Sequence, residues 1–453
     1  MLSFSCAMAP VCPVAANHPL RVVEGRVGTL GRCRCWSIRS PKPPSNESGP
    51  DVSMYQTLKS VIRFKPLEFD PVERRLAKAA DVDDLRRIAK RRLPHGVFDY
   101  IDGAAEDERT YGANTEGYRS RTFRPRVLRD VSAVDPSTTL LGKRIPLPLV
   151  LAPTGFARIA DPQGELAVAR AADKLGIPFT LSTIGTRSIE EIAAVNHGPK
   201  WFQLYVFRDR GLTKELVERT KAAGYEAITL TVDTAVLGRR ERDIRRGFTL
   251  PPKIGLGTIV DGALHPGWTW AFVRADPIVF ANVAGKDVGD GSDAVSLADY
   301  INGQFDPSLC WDDIEWLRSV WDGPLVIKGI QSVADAEIAA SMGIEAVALS
   351  NHGGRQLDTA PATIDLVEPV VQAVGDQLEV ICDGGVRRGS DVVKAVALGA
   401  KAVMAGRVHF YALGAGGERG VDHVLGLLDA GVRRTMALVG ATNVDEITRD
   451  LLE

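Results

Sequence analysis

The stretch S-N-H-G-G-R-Q-L-D, residues 350–358, sets an imidazole and a guanidinium three residues apart among glycines, directly after the apolar run that begins at Ile344. A histidine moves a proton near neutral pH, and an arginine grips a carboxylate through two parallel hydrogen bonds. His352 and Arg355 can therefore face one small acidic ligand. In isolation the pair reads equally well as a loop histidine satisfied by backbone beside a surface arginine. Other strand ends add to it. T-V-D-T places Asp233 where it could hold His352 and stabilise the imidazolium, as the third member of a triad does; alone, an aspartate after a strand is most often a helix cap. F-Q-L-Y supplies Gln203 and Tyr205, and V-I-K-G supplies Lys328. A lone strand-end lysine is often only a surface charge, but this one would meet a cofactor that turns anionic on reduction. Arg240, in G-R-R-E-R-D, belongs either to the site or to a solvated charged run.

Two further runs point to a phosphate. D-G-G-V-R-R (Asp383 to Arg388) and M-A-G-R (Met404 to Arg407) combine glycines, which let backbone amides approach an anion, with arginines that neutralise it.

These residues all fall at the ends of short apolar runs, and the runs recur. Gly176, Gly224, Gly343 and Gly399 each precede one, at the left-handed position that closes a helix. Ser188 with Glu191, and Ser332 with Asp335, read as helix starts. Runs this apolar are covered on both faces, which means a parallel sheet with helical crossovers. Eight are expected, near 147–152, 178–182, 201–205, 226–231, 324–328, 345–350, 379–383 and 401–405. The fold class is thus α/β, a (β/α)8 barrel with an N-terminal helical segment. An open doubly wound sheet lacks its Gly-x-Gly-x-x-Gly turn here. In the barrel, reactive groups gather at the carboxyl ends of the strands, and the last two loops are the usual phosphate position. One connection, after the fourth strand, is too long for a plain crossover: an insertion spans about 245–307, followed by a helix near 308–321. Its G-W-T-W-A-F-V, from Gly267, has the look of exposed tryptophans at a lipid interface, or equally of a lid core.

Composition bounds the rest. The chain has 453 residues, 45% hydrophobic and 25% charged, with a formal net charge of −2. That is ordinary globular material with no electrostatic call for nucleic acid. No apolar run approaches the ~18 residues of a spanning helix. Cys6, Cys12, Cys33 and Cys35 crowd the first residues but lack a companion cluster for zinc, so no metal is expected. Cys382 reads as a small buried residue. Residues 1–53 are Arg-rich and acid-poor, and are expected to be a disordered extension, either preceding a functional start at Met54 or acting as a targeting segment.

With these residues in view, the chain resembles the FMN-dependent 2-hydroxy acid oxidase and dehydrogenase family. The resemblance rests on S-N-H-G-G-R-Q, F-D-Y-I-D-G-A-A-E-D-E at 98–108, A-P-T-G at 152–155, L-S-T at 181–183, F-Q-L-Y at 202–205 and L-G-R-R at 237–240, and runs from about residue 78 to the end. It implies that 54–453 is one FMN hydroxy acid dehydrogenase domain. It implies that His352 is the general base, oriented by Asp233, and that Arg355, Arg240 and Tyr100 bind the substrate carboxylate while Tyr205 meets the hydroxyl. Pro153, Thr154, Gly155, Ser182, Gln203, Thr231, Lys328 and Ser350 would hold the flavin, and Asp383, Gly385, Arg387, Gly406 and Arg407 its ribityl and phosphate. Ile101 stands where several relatives have a second tyrosine, Gly155 where many oxidases have alanine, and Ile184 where plant glycolate oxidases have an aromatic. The overall look is most similar to bacterial L-lactate dehydrogenases that pass electrons to a quinone or cytochrome. That implies lactate as substrate and a cytoplasmic protein, with peripheral contact at the inner membrane face as the option the insertion opens. A homo-oligomer, by analogy a tetramer, is expected. The alternatives are an oxygen-using oxidase, a flavin barrel isomerase, which would not need Tyr100, Arg240 and Arg355, and a silent flavin-binding scaffold, which would have lost His352 or Arg355.

Overall fold

Each apolar run becomes a strand within two residues of its expected place. The computed structural model describes residues 68–246, 255–283 and 303–453. The extension expected at 1–53, with its four cysteines, lies outside the described residues, as do 247–254 and 284–302 of the insertion. A hairpin of β1 (Thr138–Leu140) and β2 (Lys143–Ile145) precedes the barrel strands β3 (Leu149–Leu151), β4 (Phe179–Ser182), β5 (Lys200–Leu204), β6 (Ala227–Thr231), β7 (Leu325–Ile330), β8 (Ala346–Leu349), β9 (Glu379–Asp383) and β10 (Ala402–Ala405). These eight run parallel in the order β10-β3-β4-β5-β6-β7-β8-β9, and the pairing of β9 with β10 closes the ring.

Strand residues alternate between two buried layers. Val150, Trp201, Val326, Ala348, Ile381 and Met404 form one cluster inside the barrel, and Leu140 and Ile145 of the hairpin join it. The Leu141 amide donates to the Glu379 carboxylate at the start of β9 (2.8 Å), so the hairpin plugs the amino-terminal mouth. The opposite residues pack on the surrounding helices. Local chemistry starts and stops those helices as expected. Ser188 and Glu191 make a full capping box, and Ser332 accepts from the Asp335 amide. Gly176 ends its helix at φ 76°.

Ahead of the barrel lie α1 (Pro71–Leu76), α2 (Val82–Arg92), α3 (His95–Asp102) and α4 (Arg109–Arg119). Asp81 caps α2, whose last turn is Lys90, Arg91 and Arg92, the arrangement a helix dipole favours. The last helix, Arg407–Val439, bends where Gly416 and Gly417 leave helical geometry. Asp102, at the end of α3, binds these parts together. Its carboxylate is fully buried and accepts from Arg86 of α2, from Arg242 after β6 (2.9 Å), and from the Tyr411 hydroxyl of the last helix (2.7 Å).

The long insertion follows β6. Its described part holds the helices Leu256–Leu264 and Pro266–Arg274, and the helix expected near 308–321 is shorter, Asp313–Val320. The two tryptophans do not behave alike. Trp268 turns inward, stacks on Phe272 (4.7 Å) and donates to the Ile159 carbonyl (2.7 Å). Trp270 is exposed, with only Arg274 over its ring. Leu256, Ile259, Val260, Leu264 and Val273 are exposed with it, while Asp261, the one acid of the first helix, turns to the amide of His95 at the start of α3 (2.7 Å). The result is an apolar face with one cation, Arg274, at its edge.

Burial alone raises the pKa of Asp102, but hydrogen bonds from Arg86, Tyr411 and Arg242 outweigh it and hold the carboxyl at about 2. A depressed carboxyl stabilises the fold above its unfolded-state pKa of about 3.9, and that contribution, roughly 2 kcal/mol, disappears as pH falls through about 2. Asp102→Asn strands two guanidiniums and is expected to cost about 3–5 kcal/mol in urea unfolding at pH 7. The gap to wild type should shrink as pH is lowered below 4, and a gap independent of pH would contradict the assignment.

Candidate active site

The carboxyl ends of all eight barrel strands open into one cleft. Of the residues singled out from the sequence, all but Asp233 and Ser350 line it. Those two stand one layer behind and hold residues that do.

His352 follows β8 at φ 56°, with Gly353 at 64° and Gly354 at 77°. Three left-handed residues in a row fold the backbone tightly enough to aim a side chain back over the barrel mouth, and a non-glycine residue in that region is strained. The surroundings hold it. His352 Nδ1 lies 2.9 Å from Asp233 Oδ1, and the His352 amide donates to Ser350 Oγ (3.0 Å). Asn351 exchanges two amide hydrogen bonds with Asn114 of α4, each 2.8 Å. Gln356 donates to the carbonyls of Asp233 and Val236 and accepts from the Gly238 amide, tying the loop to the segment after β6. Burial raises the pKa of Asp233, yet the charge and hydrogen bond of His352, with Lys328 nearby, bring it below its ordinary value. Asp233 is thus an anion poised beside the imidazole.

The cleft is rich in cations. Arg355 donates to the carbonyls of Tyr100 (2.7 Å) and Gly103 (3.0 Å), and its guanidinium lies over the Tyr100 ring at 5.1 Å. Arg240 approaches the same ring at 5.9 Å. Burial, with Arg240 and Arg407 close by, lowers Arg355 to about 10 against the pull of Tyr100 and Asp243. Arg407 donates to the carbonyls of Ile101, Gly353 and Gly103, and Arg387 to Val386. Lys328 differs: its ammonium sits on Ser350 Oγ (2.9 Å) and Asp383 Oδ2 (3.0 Å), and Ser350 donates to Asp383 (2.7 Å). Burial opposes its charge, but Asp383 and Asp233 outweigh burial and raise its pKa.

On the wall formed by β4, β5 and β6, polar atoms lack partners. Gln203 uses its side-chain carbonyl to accept from Ser182 Oγ (3.0 Å), which leaves its Nε2 donor unpaired, and Thr231 Oγ1 is unpaired beside it. Buried polar groups in native proteins are almost always satisfied, so such orphans facing a cleft mark a ligand's edge. Thr154 is aimed by a residue the sequence reading missed. His409, fully buried and lowered by that burial to about 4, is neutral; it donates from Nδ1 to the Ala405 carbonyl (2.9 Å), so its Nε2 accepts from Thr154 Oγ1 (3.1 Å). Gly155 fits under Ile184, where an added Cβ would meet Cγ1 at 2.6 Å. Also unforeseen are Phe280 and Phe305 of the insertion, which wall the cleft. Phe280 joins Phe156 and Tyr100 in an aromatic row, and Phe305 meets Tyr205 edge-on at 4.9 Å. No local signal marks two phenylalanines that far from any motif.

The glycines of the catalytic loop serve close packing as well as backbone shape. A Cβ on Gly354 would stand 2.7 Å from the Tyr111 amide, whereas one on Gly142, at φ 74°, would meet nothing. Gly142→Ala is expected to cost about 1 kcal/mol from backbone strain alone, and Gly354→Ala at least about 2 kcal/mol more, because α4 must move. Denaturant unfolding of the two variants checks this; equal costs would refute the close approach.

The profile of the FMN-dependent dehydrogenase family matches residues 89–453. A putative L-lactate dehydrogenase of Mycobacterium tuberculosis is 44% identical over 398 residues, covering 88% of this chain and 94% of that protein. Glycolate oxidase 1 of Zea mays is 43% identical over 376 residues, covering 83% and 95%. Among solved structures, that of a monotopic membrane protein, (S)-mandelate dehydrogenase, superposes with a TM-score of 0.80 at 41% identity, covering 83% of this chain and 99% of that one. A barrel of this topology, matched along its whole length and carrying this cleft, belongs to the family of FMN-dependent dehydrogenases, and its cofactor is FMN.

Proposed function

We propose that the chain oxidises an L-2-hydroxy acid, with L-lactate the best match, to the 2-oxo acid, and passes the electrons to a quinone or cytochrome. The observation that carries this reading is the convergence of an Asp233-bound His352 with the Arg355, Arg240 and Tyr100 cluster on one cleft. The relatives named for L-lactate, glycolate and (S)-mandelate all share a 2-hydroxy acid as substrate, which supports it further.

The donor set fits FMN. Unpaired Gln203 Nε2 and Thr231 Oγ1 suit the hydrogen-bonding edge of a flavin ring, with Ser182 beside them and Pro153, Thr154 and Gly155 opposite as backbone against the ring. At the other end, Arg387 and Arg407 with the glycines Gly385 and Gly406 suit a phosphate, and Asp383 the ribityl hydroxyls. When bound, FMN supplies the two-electron acceptor. Lys328, kept charged by Asp383, favours negative charge on the adjacent ligand.

The chain's own residues do the rest. Arg355 and Arg240, spaced by the Tyr100 ring, fix the substrate carboxylate, and the Tyr205 hydroxyl meets the alcohol. Because Nδ1 of His352 donates to Asp233, Nε2 is the basic nitrogen, and it takes a proton from the substrate hydroxyl or from Cα. Asp233 stabilises the imidazolium through a charge-assisted hydrogen bond. Phe280, Phe305 and Ile184 exclude water.

The apolar face of the insertion, carrying Trp270, Val273, Leu256 and Leu264, suits the headgroup boundary of a membrane, where a lipid-soluble quinone would be met. No helix among the described residues is long and apolar enough to cross one. The glycolate oxidase relatives favour oxygen as the competing acceptor.

Three measurements test the reading. His352→Ala should retain FMN, yet lose anaerobic bleaching by lactate by a factor of 10³ or more, on the order expected when a general base and its electrostatic partner are both lost; full bleaching of the variant at the wild-type rate would refute the base. Reduced enzyme should reoxidise faster with a soluble quinone than with air, and the reverse order would assign an oxidase. Wild type should cosediment with phospholipid vesicles and Trp270→Asp/Val273→Asp should not; equal partition of both would remove the membrane face.

A further inference from the structure

Tyr111 does not line the cleft, belongs to none of the motifs above, and touches both arginines at its phosphate end. Its ring lies 4.6 Å from the Arg407 guanidinium carbon and 5.9 Å from that of Arg387. One aromatic face thus stands between the two guanidiniums. Burial opposes ionisation of Tyr111, yet the nearby charges of Arg387 and Arg407 outweigh it and lower the pKa of its hydroxyl.

The backbone is as fixed as the side chain. Tyr111 begins the second half-turn of α4, and its amide is packed so closely on Gly354 that no Cβ fits there. One turn later the Asn114 carbonyl packs on Gly385 in the same way, a Cβ there standing 2.1 Å from it. Helix α4 is thus wedged between the loop after β8 and the loop after β9.

We propose that Tyr111 is a positioning residue for the phosphate end of the cofactor site: its ring spaces Arg387 and Arg407, and through them it sets the preference for FMN over unphosphorylated riboflavin. The proposal rests on the reading that Arg387 and Arg407 hold the phosphate. Neither guanidinium is paired with a carboxylate among the described residues, so both charges remain for the ligand, and what Tyr111 contributes is their separation and direction.

The test uses the full chain stripped of flavin and titrated with FMN and with riboflavin by fluorescence quenching. Tyr111→Ala is expected to weaken FMN about tenfold, the size of one desolvated cation–π contact, and to leave riboflavin within about twofold. Tyr111→Phe keeps the ring and should bind FMN within about twofold of wild type, whereas Tyr111→Leu keeps bulk without an aromatic face and should weaken FMN as alanine does, with riboflavin unchanged. The leucine variant carries the test if the alanine variant fails to fold. Equal loss for both flavins, FMN binding unchanged in Tyr111→Ala and Tyr111→Leu, or a loss in Tyr111→Phe as large as in Tyr111→Ala, overturns the proposal. Arg387→Met and Arg407→Met run alongside: if they too weaken both flavins equally, the phosphate assignment itself has failed, and Tyr111 falls with it.

Discussion

Positive charge held without a matching carboxylate is the constraint around which this active site is built. Among the described residues, Arg355, Arg387 and Arg407 spend their hydrogen bonds on backbone carbonyls and their flat faces on tyrosine rings. Carbonyl dipoles and aromatic faces make burial of a guanidinium tolerable without cancelling its charge. The protein does cancel charge where it needs scaffolding: Arg86 and Arg242 share Asp102, and Lys328 sits on Asp383. The difference sorts the cations of one region into those that hold the fold and those that await anions. In the proposed function these take two anions, a carboxylate near Arg355 and Arg240 and a phosphate near Arg387 and Arg407.

Most of the carbonyls that hold Arg355 and Arg407 come from the carboxyl end of α3, where the helix dipole concentrates negative charge. Gly103 O accepts from both Arg355 and Arg407, so one backbone oxygen fixes the distance between these two guanidiniums. The N-terminal helices therefore help shape the cleft, although none of them belongs to the barrel. Asp102 secures that oxygen from below, one residue away, and α4 secures the catalytic loop from the side. The left-handed backbone at His352 costs free energy locally and persists because Asn351, Ser350 and Gln356 are each held at both ends.

Much of this was legible in the sequence because barrel architecture converts position into function. Eight apolar runs each ending in a polar residue fix the strands, and the strand ends then fix which side chains converge, so His352, Asp233, Lys328 and Gln203 could be named from type and spacing alone. What stayed hidden falls outside that rule. Tyr111 and His409 act through other residues and sit on helices, where a tyrosine or histidine usually signals packing. Ser350 stands behind the cleft wall because Lys328 and Asp383 close over it, a matter of side-chain direction that spacing does not encode. Trp268 and Trp270 are two residues apart on a helix and so point to different faces, which is why one is buried and the other exposed.

The insertion joins the two halves of the proposed reaction. Phe280 and Phe305 wall the cleft, while Trp270 and Val273, ahead of Phe280 in sequence, are exposed. The inner wall lowers the local dielectric around Arg355 and His352, which strengthens every charge interaction there. Water excluded from the cleft also slows escape of protons and of reducing equivalents to adventitious acceptors. One excursion of chain thus closes the chemistry from solvent on its inner side and offers an apolar surface on its outer side. In the proposed reaction the two faces divide the work, the phenylalanines keeping the site dry and the outer apolar residues meeting an apolar acceptor.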